Sequence, residues 1–293
     1  MDKSTGISAI LTAYDRIEQT LETLRVIQSC VPRPDEILVH VDANQLECEK
    51  AIRDAFPEVR SVRSEDRIGP GGGRNKLVEA AQFEFVASFD DDSYPLDSYY
   101  FARVAKLFER FPDASVICAA LYHAGESISL DERSAQWTAD FSGGACIFRR
   151  KTFREAGGYV PLPVAYGMEE VDLAIRLHSC GGKILSTPWL RVFHNTDLER
   201  HGDPRVTAGS IANLALLAYL RYPISFWAIG AGQCVNRLLW LLRHGRRRGI
   251  WKGVTMIPAH LRANHHYRSP LTKRAVRSYL ALRRAPIAAS FSA

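Results

Sequence analysis

The sequence predicts an α/β fold, a mainly parallel sheet flanked by helices, with a helical C-terminal extension. Three observations carry this. Short apolar runs alternate with stretches of helical periodicity, several of those runs end in acidic residues, and the composition changes sharply after residue 203. Strands alternating with helices argue for a mainly parallel sheet covered on both faces, and such sheets gather ligands at the carboxyl ends of their strands. With 293 residues and 46% hydrophobic content, the chain can bury a large core.

Taken in order, Ile7 to Leu11 reads as a buried first strand, and Arg16 to Ser29 comes next with Ile17, Leu21 and Leu24 at helical spacing. Pro32 and Pro34 punctuate the chain before a second strand, Glu36 to Val41, which runs into Asp42-Ala43-Asn44. Glu47 to Phe56 suits a helix, Phe83 to Phe89 a strand that ends in acid, and Tyr99 to Phe111 a helix after Pro95. Trp137 to Cys146 is polar and glycine-bearing. Arg150 to Ala156 and Glu169 to Ser179 read as short helices, with a strand near Ile184 to Thr187. This pattern implies an α/β domain over residues 1–205 and a basic, apolar helical region over 206–293.

Asp2 and Lys3 precede only a short apolar run, which argues against a secretory signal. The six cysteines contain no CxxC pair, so neither a zinc site nor a disulfide framework is indicated, and reduced thiols in a cytoplasm fit best. The net charge of +6 hides an asymmetry: of 38 Lys and Arg, 15 lie from Pro204 onwards, where there is no Asp or Glu, leaving 23 against 32 acids before it. A basic tail calls for an anionic partner. Ile211 to Leu220 and Ile224 to Leu242 are strongly apolar, but Arg221-Tyr222-Pro223 divides them and Gln233, Asn236 and Arg237 interrupt the second, short of the about 20 apolar residues a span requires. With Arg243 and Arg246 to Arg248 behind it, this segment suits a helix lying at an anionic membrane surface, at the inner face of the cell membrane; packing on the catalytic domain explains the periodicity equally well.

Four stretches could carry chemistry. Asp90-Asp91-Asp92 clusters three carboxylates at the end of an apolar strand, a repulsive arrangement that a hard divalent cation such as Mg2+ relieves. The plainer reading is a solvated acidic turn capping the next helix, and an aspartyl phosphatase is disfavoured because Tyr94 stands where that motif takes Thr or Val. Gly69-Pro70-Gly71-Gly72-Gly73 leads through Arg74 and Asn75 into Leu77 to Gln82, which looks helical; amides at a helix N-terminus plus Arg74 suit phosphate, although a flexible loop explains the glycines as well. It is neither a Walker loop nor GxGxxG. Glu169-Glu170-Val171-Asp172 opens a helix. Asp172 and Arg176 form an ordinary i,i+4 pair, and Glu169 and Glu170 either favour the helix dipole or supply a general base. His194 lies where a strand meets a loop, and as a protein ligand it would favour Mn2+ over Mg2+.

In their order, these pieces resemble the large inverting glycosyltransferase family built on the GT-A fold, often called family two, over about the first two hundred residues. The resemblance implies that Thr12, Ala13, Tyr14 and Arg16 of the first loop hold the donor's base and ribose, that Asp42 contacts the base, and that Arg74-Asn75 lies near the diphosphate. Asp90-Asp91-Asp92 resembles the DXD signature, with Asp92 on the metal and His194 in the place of a metal-proximal histidine. Phe141-Ser142-Gly143-Gly144 then lines the acceptor side. Glu169-Glu170 is similar to the family's Glu-Asp pair, whose second member is the base; Glu170 departs in being longer, which leaves Glu169 and Asp172 as fallbacks. The reaction that the resemblance implies is transfer from a nucleotide-diphosphate sugar to a saccharide or lipid-linked hydroxyl with inversion, aided by Mn2+ or Mg2+.

Two rivals are weaker. A sugar nucleotidyltransferase normally carries its glycine loop directly after the first strand, and here the glycines come after the second. A nucleic-acid binder would interleave aromatics with arginines as the tail does, but Tyr219, Trp227 and Trp240 lie in long apolar runs, which argues against nucleic acid as a partner.

Overall fold

The computed structural model describes residues 6–164, 166–195 and 203–290; Asp2, Lys3, Thr196 and Asp197 lie outside them. Strands β1 (Ile7–Ala13), β2 (Glu36–Val41), β3 (Arg60–Arg63) and β4 (Phe85–Asp90) run parallel in the order β4-β1-β2-β3. Helices α1 (Ile17–Ser29), α2 (Leu46–Ala55) and α3 (Gly69–Ala80) connect them. Beyond β4 the sheet continues with β8 (Ala145–Arg149) antiparallel to both β4 and β6 (Ala114–Tyr122), and with β9 (Lys183–His194) parallel to β6. The short β5 (Ser93–Pro95) and β7 (Gln136–Thr138) flank β9.

Alternation along the strands explains why both faces need cover. Ala9, Leu11 and Ala13 of β1, Val39 and Val41 of β2, and Ala87 and Phe89 of β4 join one core with α1, α2 and α4 (Tyr100–Arg110). Ile10, Leu38 and Val86 point the other way, towards α3 and α6 (Glu169–Ser179). In α4 the buried Tyr100, Phe101, Val104, Leu107 and Phe108 recur at helical spacing, so the element is explained by its apolar stripe. The short α5 (Arg150–Glu155) contributes Phe153 to the second core.

Several elements differ from the sequence expectation, which does not include the strands β3, β5 and β8. The glycine run is no loop: α3 begins at Gly69 and contains every glycine. β6 is an apolar strand absent from the expected order, and β7 lies in the segment read as polar and irregular. The helical extension is present as α7 (Pro204–Arg221), α8 (Trp227–Arg243), α9 (Ile250–Ala263) and α10 (Lys273–Arg284), ending in β10 (Ile287–Ala288). Asp203 caps α7 by accepting from the Arg205 amide at 2.6 Å, and Thr272 caps α10 through the Ala275 amide at 3.1 Å.

Part of this extension is integral to the fold. Leu216, Leu217 and Leu220 of α7 pack on Val160, Leu162 and Met168, and Val276 and Tyr279 of α10 join the α6 core. β10 pairs with β7, adding a final strand to the sheet. Among the described residues no helix is long and apolar enough to cross a membrane.

Candidate active site

The carboxyl ends of β1, β2 and β4 place Tyr14, Asp42 and Asp90 along one edge, since parallel neighbours in register end together: Thr12 pairs with Asp90 and Ala13 with Val41. A cleft of about 290 Å3 opens there, lined by Thr12, Ala13, Tyr14, Arg16, Asp42, Asp90 and Asp91. His40, Arg67, Gly69 and Pro70 complete its wall.

His194 arrives from a hundred residues away. β9 ends beside β5, where Ser93 pairs with His194, and the Asn195 amide donates to the Asp92 carbonyl at 2.8 Å. One ligand atom each of Asp90, Asp92 and His194 then lies within 4.8 Å of the others. His194 Nε2 is 3.2 Å from Asp92 Oδ1, and among the described residues that buried oxygen has no hydrogen-bond donor of good geometry. Burial raises the Asp92 carboxyl, but the contact with His194 and the charge of Arg16 outweigh it and hold it low. Two carboxylates and an imidazole with an orphaned buried oxygen are a donor set suited to Mn2+ or Mg2+, so the residues fit a divalent cation.

Asp91, the middle acid, is committed differently. Arg16 grips both its oxygens, with Nε at 3.0 Å from Oδ2, and also reaches Asp92. The Tyr14 amide donates to the same Asp91 oxygen at 3.3 Å and Thr23 Oγ1 to its carbonyl at 3.0 Å, which fixes the first loop against the acidic turn.

Arg74 is almost wholly buried beneath the site. It donates to Ser88 Oγ at 3.1 Å, to Glu169 at 2.9 Å and to Asp90. It therefore links α3, β4 and the start of α6 and is not extended towards solvent. Gly143 and Gly144 allow this closeness: a Cβ on Gly143 would lie 2.9 Å from the Arg74 guanidinium carbon, and one on Gly144 2.2 Å from Asp90 Oδ2. Glu170 Oε1 accepts from the Gly143 amide at 3.4 Å. Burial raises both Glu169 and Glu170, with the neighbouring carboxylate adding to the rise for Glu169 and Arg74 opposing it for both.

Besides Arg16, held by Asp91 and Asp92, and Arg74, three further expected residues have other partners. Asn75 spends its amide on the backbone of Tyr159, at 2.9 and 2.8 Å. Asp172 is fully buried between Arg176 at 2.6 Å and Arg221 at 2.5 Å, a tie between α6 and α7. Asp42 accepts from the amides of Ile68 and Gly69, both at 3.0 Å, so its carboxylate caps α3 and takes the place at that helix N-terminus expected for phosphate.

Two residues of the cleft are not singled out by the sequence. Arg67 lies over the Tyr14 ring at 4.3 Å at the mouth of the cleft, and no spacing in the sequence announces that stacking. His40 is buried, hydrogen-bonded through Nε2 with Ser64 Oγ at 3.0 Å, and burial lowers it to about 4, so it is neutral. Its signal is a polar residue inside an otherwise apolar strand.

Residues 8–157 match the family model described as glycosyl transferase family 2. No curated protein matches by sequence. Among solved structures, the mannosyltransferase PcManGT of Pyrobaculum calidifontis in complex with GDP-Man and Mn2+ superposes with a TM-score of 0.58 at 15% identity, over 97% of this chain and 87% of that one. TarS 1–349 of S. aureus in complex with UDP-GlcNAc has a TM-score of 0.58 at 16% identity over 73% of this chain and 66% of that one. GalNAc-T7 with UDP, GalNAc and Mn2+ has a TM-score of 0.58 at 15% identity over 76% of this chain. The chain spans 49% of the length of GalNAc-T7. These likenesses establish a shared fold.

Proposed function

Because the chain belongs to glycosyl transferase family 2 and has the GT-A fold, we propose that it transfers a sugar from a nucleotide-diphosphate donor to a hydroxyl acceptor with inversion. The observation that carries this is the convergence of Asp90, Asp92 and His194, of which Asp90 also lines the β1-β2-β4 cleft, with Glu170 at the Gly143-Gly144 turn. Mannosyl and N-acetylglucosaminyl donors are bound in the structural relatives, which supports a hexosyl donor here.

In this reading Asp90, Asp92 and His194 hold Mn2+ or Mg2+, which supplies positive charge against the leaving diphosphate. Thr12, Ala13, Tyr14 and Arg67 line the cleft for the nucleoside. Glu170 takes the proton from the acceptor hydroxyl; its raised proton affinity brings it nearer to working pH, as a base requires. Glu169 is held by Arg74 and Asp172 by two arginines, so of the three acids Glu170 is the one available for proton transfer. Direct displacement with one base inverts the anomeric carbon, and Gly143-Gly144 keeps that base close, since a Cβ on Gly143 would lie 3.1 Å from Glu170 Oε1. A saccharide or lipid-linked acceptor in polysaccharide or glycolipid synthesis, at the cytoplasmic face of the membrane, is supported by the acid-free basic tail.

The test is release of nucleoside diphosphate from a panel of UDP-, GDP- and dTDP-sugars with Mn2+, with and without EDTA. Metal-dependent release from one donor is expected, with inverted product by proton NMR. Release of pyrophosphate, or a retained anomeric configuration, would overturn the assignment.

A further inference from the structure

The C-terminal helices are of two kinds. α7 buries most of its residues and α10 puts Val276 and Tyr279 into the α6 core, whereas α8 buries only Gly230 and Leu241, neither of them in a core cluster. Its apolar stripe is turned outward: Ala228, Gly232, Val235, Leu239 and Leu242 recur four and three residues apart, share one face and are all exposed. Val235 is 52%, Leu239 44% and Leu242 47% exposed, and Trp251 at the start of α9 is 79% exposed. An amphipathic helix of a globular protein normally turns that stripe to its core. Here it faces out, with no described element over it.

Charge decides what could cover it. Arg243, Arg246, Arg247, Arg248 and Lys252 cluster at the α8–α9 junction, in a segment without any acid. Arg237 and Arg246 lie 4.7 and 5.4 Å from the Trp240 ring centre, an aromatic and cation pairing favoured where apolar and charged surroundings meet. A second copy of the chain, docked by two-fold symmetry, would set this cation cluster against itself. Nucleic acid would satisfy the cations and leave the stripe wet. A surface that is anionic above and apolar below satisfies both.

We propose that the α8–α9 face docks on an anionic lipid bilayer. α8 lies along the interface for about 26 Å, with Val235, Leu239, Leu242 and Trp251 at the acyl boundary and the junction arginines among the head groups. This goes beyond a basic tail in general: the arginines of α10 take no part. The face shares no residue with the Asp90–His194 cleft, so the proposal stands or falls apart from the assigned reaction.

The test is co-sedimentation of the full chain with phosphatidylcholine vesicles, with or without phosphatidylglycerol. Binding only to the mixed vesicles is expected. Val235→Glu with Leu239→Glu should weaken partitioning at least tenfold, and Arg246→Gln, Arg247→Gln and Arg248→Gln about fivefold for each arginine removed. Arg274→Gln with Arg284→Gln on α10 should leave it within twofold. Circular dichroism and nucleoside diphosphate release should be unchanged throughout, with Val235→Ser and Leu239→Ser as the milder pair if the glutamates disturb folding. Failure of the parent chain to bind mixed vesicles, equal loss in the α10 control, or a dimer dissolved by the α8 glutamates without any lipid binding would each overturn the proposal.

Discussion

Arg74→Met tests the buried network under the site. The guanidinium is 2% exposed and stands between Asp90 and Glu169, the latter 3% exposed. Methionine fills much of the volume and removes the charge, leaving Glu169 beside Glu170 with no cation. Stranding one partner of a buried pair costs about 3–5 kcal/mol, and that is the loss expected from urea unfolding at pH 7.5. The cost should depend on pH with a definite sign. Without Arg74 the folded state holds a proton on Glu169 to higher pH than the unfolded chain does. With Arg74 present burial already pushes Glu169 up to about 8, so parent and variant lose stability together below that, and the variant's deficit grows only as pH rises beyond it, being larger at pH 9 than at pH 7.5. A deficit below about 1 kcal/mol, or one equal at pH 7.5 and pH 9, would show that Arg74 is no buried counter-ion.

Glu170→Gln should lower kcat by about 10²–10⁴-fold with donor binding intact, whereas Asp172→Asn, which unties Arg176 and Arg221, should lower the Tm in a thermal melt. With burial holding Glu170 above the usual carboxylate range, kcat/KM should fall as pH drops through a value above that range; a limb at the ordinary glutamate value would count against Glu170 as base. Gly144→Ala puts a methyl 2.2 Å from Asp90 Oδ2, so Mn2+ affinity by electron paramagnetic resonance should drop, and unchanged affinity would remove Asp90 from the metal set. Arg67→Ala removes the cation stacked on Tyr14, and donor KM should rise severalfold at constant kcat; an unchanged KM would place the base elsewhere.

What was legible in the sequence was local. The strands β1, β2 and β4 and helices α1, α4 and α6 are explained by apolar spacing, and the acids at strand ends marked the edge where the cleft opens. β6 was missed although Val116, Ile117 and Ala119 are apolar, because a short apolar run after a helix has no alternation to identify it. The pairing of Ser93 with His194 depends on register between strands a hundred residues apart, and the meeting of Arg74 with Glu169 depends equally on distant packing. Resemblance to a family pointed to those residues; periodicity could not. It could not foresee either that Asp172 would serve Arg221 of α7, since that partner lies beyond the i,i+4 neighbour that explained it.

The glycine run, which the sequence offers as a phosphate cradle or a flexible loop, has a packing role as the start of a helix. Glycine in a helix costs about 1 kcal/mol relative to alanine, so a helix that begins Gly-Pro-Gly-Gly-Gly must recover that through contacts only glycine allows. A Cβ on Gly71 would sit 2.5 Å from Glu169 Oε2 and one on Gly73 2.5 Å from His40 Nδ1. The glycines let α3 lie close enough to α6 and β2 for Arg74 to reach Glu169 on one side and Asp90 on the other. At the start of α3 the Ile68 and Gly69 amides are meanwhile taken by Asp42. An anionic leaving group must then find its positive charge elsewhere, and the Asp90, Asp92 and His194 cluster is where the same geometry gathers ligands for a cation.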